Sequence, residues 1–528
     1  VGSGERQMKN RDRARMNQIR IAVTAALVLS PLMSNATESS VEARLKALEQ
    51  RQNQLEQQLL ERDARIRELE SQAKVPNAVA GGASTTIVPA PAQAAPAATL
   101  ADPQTANVAD AAVPGAAGPE AMPDRKPLES AWGTYEGGRG VVLARTSQGE
   151  VDFSAFTYLR YLNQRMLDDS YTDAFGRTKD LDIREDLQLQ KVMLFFKGWL
   201  FNPDFRYQFY TWTANTSQGQ GAQVVVAGNL SYRFNDAFSL AGGIGGLPST
   251  RTTNYTFPIW LKVDHRTIAD DFFRASYTTG VWAWGDVAEG LRYRVMVGNN
   301  LSQLGVDAGK LDSGLNAYSG ALWWMPTTGE YGPGEGFGDF EHHTELATLV
   351  GANFTHSRED AQSQPGVNDF WNSQIRLSDG TLIFQADPFG TGTQINKATY
   401  QMAAVNAGFK YRGFSLDGEY YWRTVDDFRA TGPVPRDSFV DDGFQLQGSA
   451  MLLPQTLQAY VAGSKINGQY GDPWDVSIGA NWFPFKRREL RFNTQFLYLD
   501  RSPVGNTASP FIVGGNGWVF STDVMLSF

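Results

Sequence analysis

Cysteine is missing from all 528 residues, histidine occurs four times, and no apolar run is long enough to cross a bilayer as a helix. Each absence removes a class of protein. Without cysteine there is neither a disulfide framework nor a thiolate metal site, which suits passage through an oxidising compartment. A spanning helix needs about 18–20 consecutive apolar residues. With a mean hydropathy of −0.34, a membrane protein of this sequence must cross by strands closed into a barrel, whose inner half is polar. The net charge of −9 argues against nucleic acid as a partner, and no basic stripe with interleaved aromatics is present. Catalytic signatures are also missing: no serine sits in a nucleophile elbow and no phosphate-cradling glycine loop precedes a helix. Of His265, His342, His343 and His356, only the run Glu341-His342-His343 suggests a metal, and neighbours in an extended chain point to opposite faces. The carboxylate pairs Asp426-Asp427 and Asp441-Asp442 read as loop and strand-end charges. The expectation is a protein that is not an enzyme and needs no metal or cofactor.

What is present begins with an export signal. Lys9, Arg11, Arg13, Arg15 and Arg20 precede the apolar run Ile21 to Leu32, and Ser34-Asn35-Ala36 supplies small residues for cleavage, so residues 1–36 read as leader and signal peptide. Residues 37–74 carry heptads. Leu45, Gln52, Leu59, Ile66 and Ala73 fall on one seam position, and Val41, Leu48, Leu55, Arg62 and Leu69 on the other, with Glu, Gln and Arg between. This predicts an N-terminal α-helical coiled coil in the periplasm, with peptidoglycan as the partner such a helix could reach. Residues 75–137 are rich in alanine and proline and read as a tether.

From there to the end the polarity alternates with period two. Phe414, Leu416, Gly418, Tyr420 and Trp422 alternate with Ser415, Asp417, Glu419 and Arg423. Leu490, Phe492, Thr494, Phe496 and Tyr498 oppose Arg491, Asn493 and Gln495, while Leu291, Tyr293, Val295 and Val297 oppose Arg292 and Arg294. One face suits lipid and the other a water-filled lumen. Tight turns such as Asn235-Asp236-Ala237, Glu289-Gly290 and Arg412-Gly413 alternate with long polar stretches, the pattern of short periplasmic turns and long external loops. The count is sixteen strands, from 150–163 to 516–528, with 138–146 as an extra piece at the barrel foot. The fold class is therefore all-β, a 16-stranded antiparallel transmembrane barrel over residues 138–528. One connection breaks the rule: Pro326 to Glu345 is long yet falls on the periplasmic side. The last strand ends on Phe528 and looks like the terminal strand of a Gram-negative outer-membrane barrel, whose final aromatic is read by the barrel-assembly machinery.

The lumen is expected to carry Arg160, Lys191, Arg206, Arg292, Arg294, Lys410 and Arg423, offset by Asp417 and Glu419, with Asp523 facing the water column. The glycine-rich strand Gly242–Gly246 leaves room along the inner wall for the long segment Ser249 to Phe273. Folded inward, that segment would present Arg251, Lys262, Asp264, His265, Arg266, Asp270 and Arg274 to a passing solute. Cations facing anions across the constriction would set up a transverse field favouring small polar solutes. Trp199, Trp323, Trp324, Trp371 and Trp482 are assigned to interfacial girdles, with a sugar-stacking track as the sharper alternative.

Two stretches make the barrel region resemble the phosphate-selective porin O and P family in its broad form. One runs from Asp264 to Leu301, through Asp271-Phe272-Phe273-Arg274, Thr279-Gly280-Val281-Trp282 and Leu291-Arg292-Tyr293. The other contains Trp323-Trp324-Met325-Pro326, Gly338-Asp339-Phe340-Glu341 and Ser357-Arg358-Glu359-Asp360. The resemblance implies a homotrimeric porin in the outer membrane of a Gram-negative bacterium, surrounded by lipid. It departs from the phosphate-selective members because no ring of lysines aligns onto this chain. The expected function is passive diffusion of small hydrophilic solutes. A channel selective for phosphate, other anions or sugars is the alternative, and an envelope-tethering role through the coiled coil is the reading of another class.

Overall fold

In a computed structural model of the chain, the described residues are 132–137, 139–213, 224–254, 256–302, 314–361, 374–505 and 509–528. The expected signal peptide, coiled coil and most of the tether, together with Trp371, lie outside them.

Sixteen strands close on themselves. In chain order they are Gly149–Leu167, Glu185–Leu200, Asn202–Thr213, Val224–Asn235, Phe238–Gly246, Tyr277–Ala288, Leu291–Gly298, Ala317–Trp324, Ala347–Asp360, Ile395–Tyr411, Phe414–Ala430, Ser438–Leu453, Leu457–Asn467, Trp474–Trp482, Leu490–Asp500 and Gly517–Ser527. Each is antiparallel to the next, and the last pairs with the first, from Gly517 opposite Leu167 to Ser527 opposite Phe156. Beyond that ladder Phe528 exchanges both backbone hydrogen bonds with Ala155, at 2.9 and 3.0 Å. Closure removes the edges that an open sheet would expose. The start of the first strand reaches past the seam. There Gly140–Arg145 pairs with residues 150–153, and Thr134–Glu136 folds back on it as a hairpin. This hairpin occupies the foot of the barrel and begins inside the stretch assigned to the tether.

The period-two pattern works as barrel geometry requires. Along Phe414–Ala430, for instance, positions 414, 416 and 422 are exposed while 415, 417, 421 and 423 are buried. The outer surface carries a continuous series of exposed apolar side chains, among them Leu189, Val281, Val295, Leu322, Val350, Phe354, Val461 and Ile478. Trp324 and Trp482 belong to this outer face. Trp199 and Trp323 do not: both are 6% exposed and point inward, which corrects their assignment to a girdle. Trp323 and Trp324 are sequence neighbours, so alternation alone forces one of them inside.

The glycine-rich strand Phe238–Gly246 makes room in a different way from the one expected. A side chain on Gly245 would lie 3.1 Å from the Trp282 ring, and one on Gly246 would lie 3.5 Å from Tyr277. The glycines accommodate the inward rings of the neighbouring strand, and those rings border the inserted segment.

Candidate functional site: the barrel interior

The connection Leu247–Ser276 turns into the barrel instead of out of it. Its described residues are buried except Thr253, Pro258, Ile259 and Asp271, which are half-buried. Toward its end lies a short helix, Ile268–Phe273, with Thr267 as cap and Asp270 and Asp271 in the first turn, where carboxylates suit the helix dipole. Wall side chains hold the segment round most of the circumference. Asn353 Nδ2 donates to Pro248 O (3.1 Å), Arg491 Nη1 to Trp260 O (2.6 Å), Asn481 Nδ2 to Leu261 O (2.9 Å) and Arg160 Nη2 to Val263 O (2.7 Å). In the other direction Thr267 Oγ1 donates to Gln445, and the backbone of Ile268 and Ala269 donates to Asp475 and Ser464. Lone backbone carbonyls at this depth need such partners, because burial without one costs about 1–3 kcal/mol each.

The structure brings the sequence-predicted charges together as pairs. Lys191 Nζ lies 2.6 Å from Asp264, which also accepts from Tyr158 Oη at 2.7 Å. Arg160 meets Asp523 at 2.6 Å. Arg251 lies 3.3 Å from Asp417, and its backbone N–H donates to Glu419 at 2.8 Å. Arg266 stacks on Trp260 with 4.4 Å to the ring centroid and lies 3.7 Å from Asp270. Arg274 pairs with Asp271 at 2.7 Å, and Arg292 pairs with Asp286 and Glu335. Arg423 meets Asp441 at 2.5 Å with its guanidinium over Phe272. Asp441 is thus an interior residue, correcting its reading as a strand-end charge. Arg294 is buried over Trp282, Lys262 donates to Arg266 O, and Lys410 donates to Tyr331 O at 2.7 Å. Arg206 stands apart from these, exposed and donating to Pro203 O near a turn. Opposite charges meet directly, where the sequence suggested that they face each other across water.

Burial also sets the titration of the inserted segment. Desolvation pushes the Asp270 carboxyl up, against the pull of Arg266, and pushes Lys262 down, against Asp475 and Asp270. His265 is held well below its usual 6.5, first by burial and then by the charges of Lys262 and Arg160. Its ring nitrogens contact Val263 O at 2.9 Å and Gln495 at 2.9 Å. The folded state therefore keeps this imidazole neutral while the unfolded chain protonates it below 6.5. The stability that His265 contributes is present above that pH and declines as pH falls through it, by up to about 1.4 kcal/mol per pH unit. His265→Gln should flatten that part of the pH profile between 6.5 and 5.5 in urea unfolding; an unchanged slope would refute the neutral, buried ring.

His343 contacts Asp339 at 2.5 Å and belongs to a structural cap. Among the described residues no group of three or more His, Asp or Glu is arranged to hold a metal ion.

A second insertion was not read from the sequence. The anomalous turn between Trp324 and Ala347 rises into the barrel from the end that carries both termini of the sheet. Tyr331 and Asp339 are 0% exposed, and Phe337 donates its N–H to Ile259 O of the first segment at 2.8 Å. The glycines at 329, 332, 334, 336 and 338 were the available signal, since polar turns of that length rarely need so many.

A closed sixteen-stranded barrel, apolar outside and charged inside, with a loop folded into it, has the architecture of a porin. Among solved structures it is similar to the anion-selective porin from Comamonas acidovorans (12% identity, 72% of this chain and 100% of that one, TM-score 0.46). It is also similar to the outer membrane channel DcaP of Acinetobacter baumannii (9%, 73% and 99%, 0.43) and to Salmonella typhi OmpF in complex with daunomycin (12%, 72% and 98%, 0.43). No family model matches the chain, and no curated protein matches it.

Proposed function

We propose that this protein is an outer-membrane channel through which small hydrophilic solutes diffuse passively, down their own gradients. The observation that carries the reading is the sidedness of the closed barrel. Exposed Leu, Val, Ile and Phe form its outer belt, while Arg160, Asp417, Glu419, Arg423 and Asp523 line its interior. Only a bilayer gives an exposed apolar surface of this kind a suitable neighbour. With the strand ends and Phe528 at the periplasmic face, the long loops lie outside, and the coiled coil expected from residues 37–74 hangs in the periplasm. Assembly by the barrel machinery as a homotrimer fits a barrel of this size, and peptidoglycan remains the partner within reach of the helix.

The constriction is read as the inserted segment with its wall partners: Arg251, Lys262, Asp264, His265, Arg266, Asp270 and Arg274, facing Arg160, Lys191, Arg292, Arg294, Asp417, Glu419 and Arg423, with Arg206 toward the mouth. Most of the cations already hold a carboxylate, as in Lys191–Asp264 and Arg423–Asp441. A dehydrating anion needs unspent positive partners. This favours weak ion selectivity over the alternative of a phosphate-selective channel. In planar bilayers with a potassium chloride gradient, the reversal potential should stay near zero, and phosphate should leave the chloride current unchanged. A strongly anion-selective current blocked by phosphate would replace this reading with the selective one.

A further inference from the structure

Sixteen-stranded barrels are wide enough to leave an aqueous channel. In this one many of the inward-facing side chains are sealed off, although Arg206 and Arg233 near the turns keep some exposure. Arg160, Lys191, Arg294, Lys410 and Arg423 are each at most 1% exposed, and so are Tyr158, Asn481, Asn493, Gln495, Ser521 and Asp523. Chain enters the lumen from both ends, and the two insertions together cover much of its polar lining.

The two are held differently. The segment Leu247–Ser276 is fastened by wall side chains around most of the barrel, as described above. The turn Pro326–Glu345 is rich in glycine. Gly329, Gly332, Gly334 and Gly338 sit at φ of 71, 85, 55 and 79°, values that side chains disfavour and that let the chain reverse direction several times. Its attachments are both apolar and polar: Phe337 shares an apolar cluster with Phe257 and Trp260, Phe340 lies against Phe483 with 4.9 Å between ring centroids, and Arg488 Nη2 donates to Glu341 at 2.9 Å. Lys410 Nζ reaches Tyr331 O, Tyr331 Oη donates to Asp417 at 3.2 Å, and Asp339 accepts from Gly413 N at 2.7 Å. Glu335 is the centre of the contact. Its carboxylate pairs with Arg292, and its carbonyl accepts from Arg251 Nη2 at 2.5 Å, so it joins the wall to the other insertion. Among the connections at this end, those at Phe201, Asp236-Ala237, Glu289-Gly290 and Arg412-Gly413 are tight turns. Closing a hairpin here does not require so long a segment.

We propose that the turn Pro326–Glu345 is a hinged plug that shuts the channel from the periplasmic end, with Glu335 between Arg292 and Arg251 as its latch. The proposal rests on the channel reading above. Withdrawal of the turn would free Tyr331, Phe337 and Asp417 to water and open a path beside the fixed segment. The plug would then control whether the pore conducts, while the fixed segment sets what it passes.

The test uses the full chain in planar bilayers, with insertion checked by heat-modifiable migration. Wild type should show long closures broken by openings of one size. Glu335→Gln should raise the open fraction at least tenfold with the size of each opening unchanged. Because the chain has no cysteine, the double variant Gly336→Cys with Ile259→Cys can join only the plug to the fixed segment. A Cβ on Gly336 would crowd Ile259 Cβ more closely than the ~3.5–4.5 Å of a disulfide, so the pair joins the two segments after a small outward shift of the turn. Oxidation should abolish openings and reduction should restore them. A wild type that conducts steadily, or an oxidised pair that conducts like the reduced one, overturns the plug and leaves the channel standing. Silence in every variant, including one with residues 328–341 replaced by a short turn, overturns the channel reading and the plug with it.

Discussion

Asp523→Ala should cost the barrel about 3–5 kcal/mol, the largest loss expected from any single substitution in the wall. Asp523 and Arg160 are both fully buried and lie 2.6 Å apart. They are also direct ladder partners across the seam between the last strand and the first. Removing the carboxylate leaves a guanidinium in a dry interior with Val263 O as a remaining acceptor. Desolvation is then uncompensated, and that penalty exceeds the attraction which the pair itself contributed. Arg160→Met combined with Asp523→Leu should recover most of the loss, because two apolar side chains of similar size carry no such penalty. Equilibrium unfolding in urea with lipid vesicles, followed by tryptophan fluorescence, measures both variants. A single-variant loss below about 1 kcal/mol would mean that water reaches the pair.

Replacing Ser249–Phe273 by a short glycine-serine turn should produce a severalfold larger conductance and remove most discrimination by solute size. Gly246 and Tyr277 are already ladder partners, so a tight turn can join their strands without disturbing the wall. Excision also takes away Ile259 and Arg251, against which the plug rests, so closures should become rare. Liposome swelling with sugars of graded size reads the first effect, and single-channel recording reads the second. Unchanged conductance after excision would mean that the constriction lies elsewhere.

The wall was legible because period two is enforced by covalent geometry. Once Phe414, Leu416 and Trp422 face out, Ser415, Asp417 and Arg423 have no choice but to face in. The inserted segment was legible from its length and charge. Its partners were not, since Asp264 meets Lys191 and Tyr158 across a cavity that local pattern does not encode. Asp441 misled because its neighbour Asp442 is outward and bonded to Tyr420 Oη and Asn467, so the doublet reads as one solvated patch. The second insertion escaped because glycine marks where a chain can bend and says nothing of which way it goes. Trp199 and Trp323 were misplaced for want of register: a shift of one residue exchanges lipid for lumen.

The ladder between residues 156–167 and 517–527 joins almost the whole barrel chain end to end. Both inserted segments lie in sequence between those two strands. The contents must therefore be in place, or able to slip in through a mouth, when the final eleven residues complete the wall. Such a contact is slow to form because the loop it closes is long. Because Arg160 and Asp523 face each other across that seam, its closure also brings together a pair that belongs to the lumen.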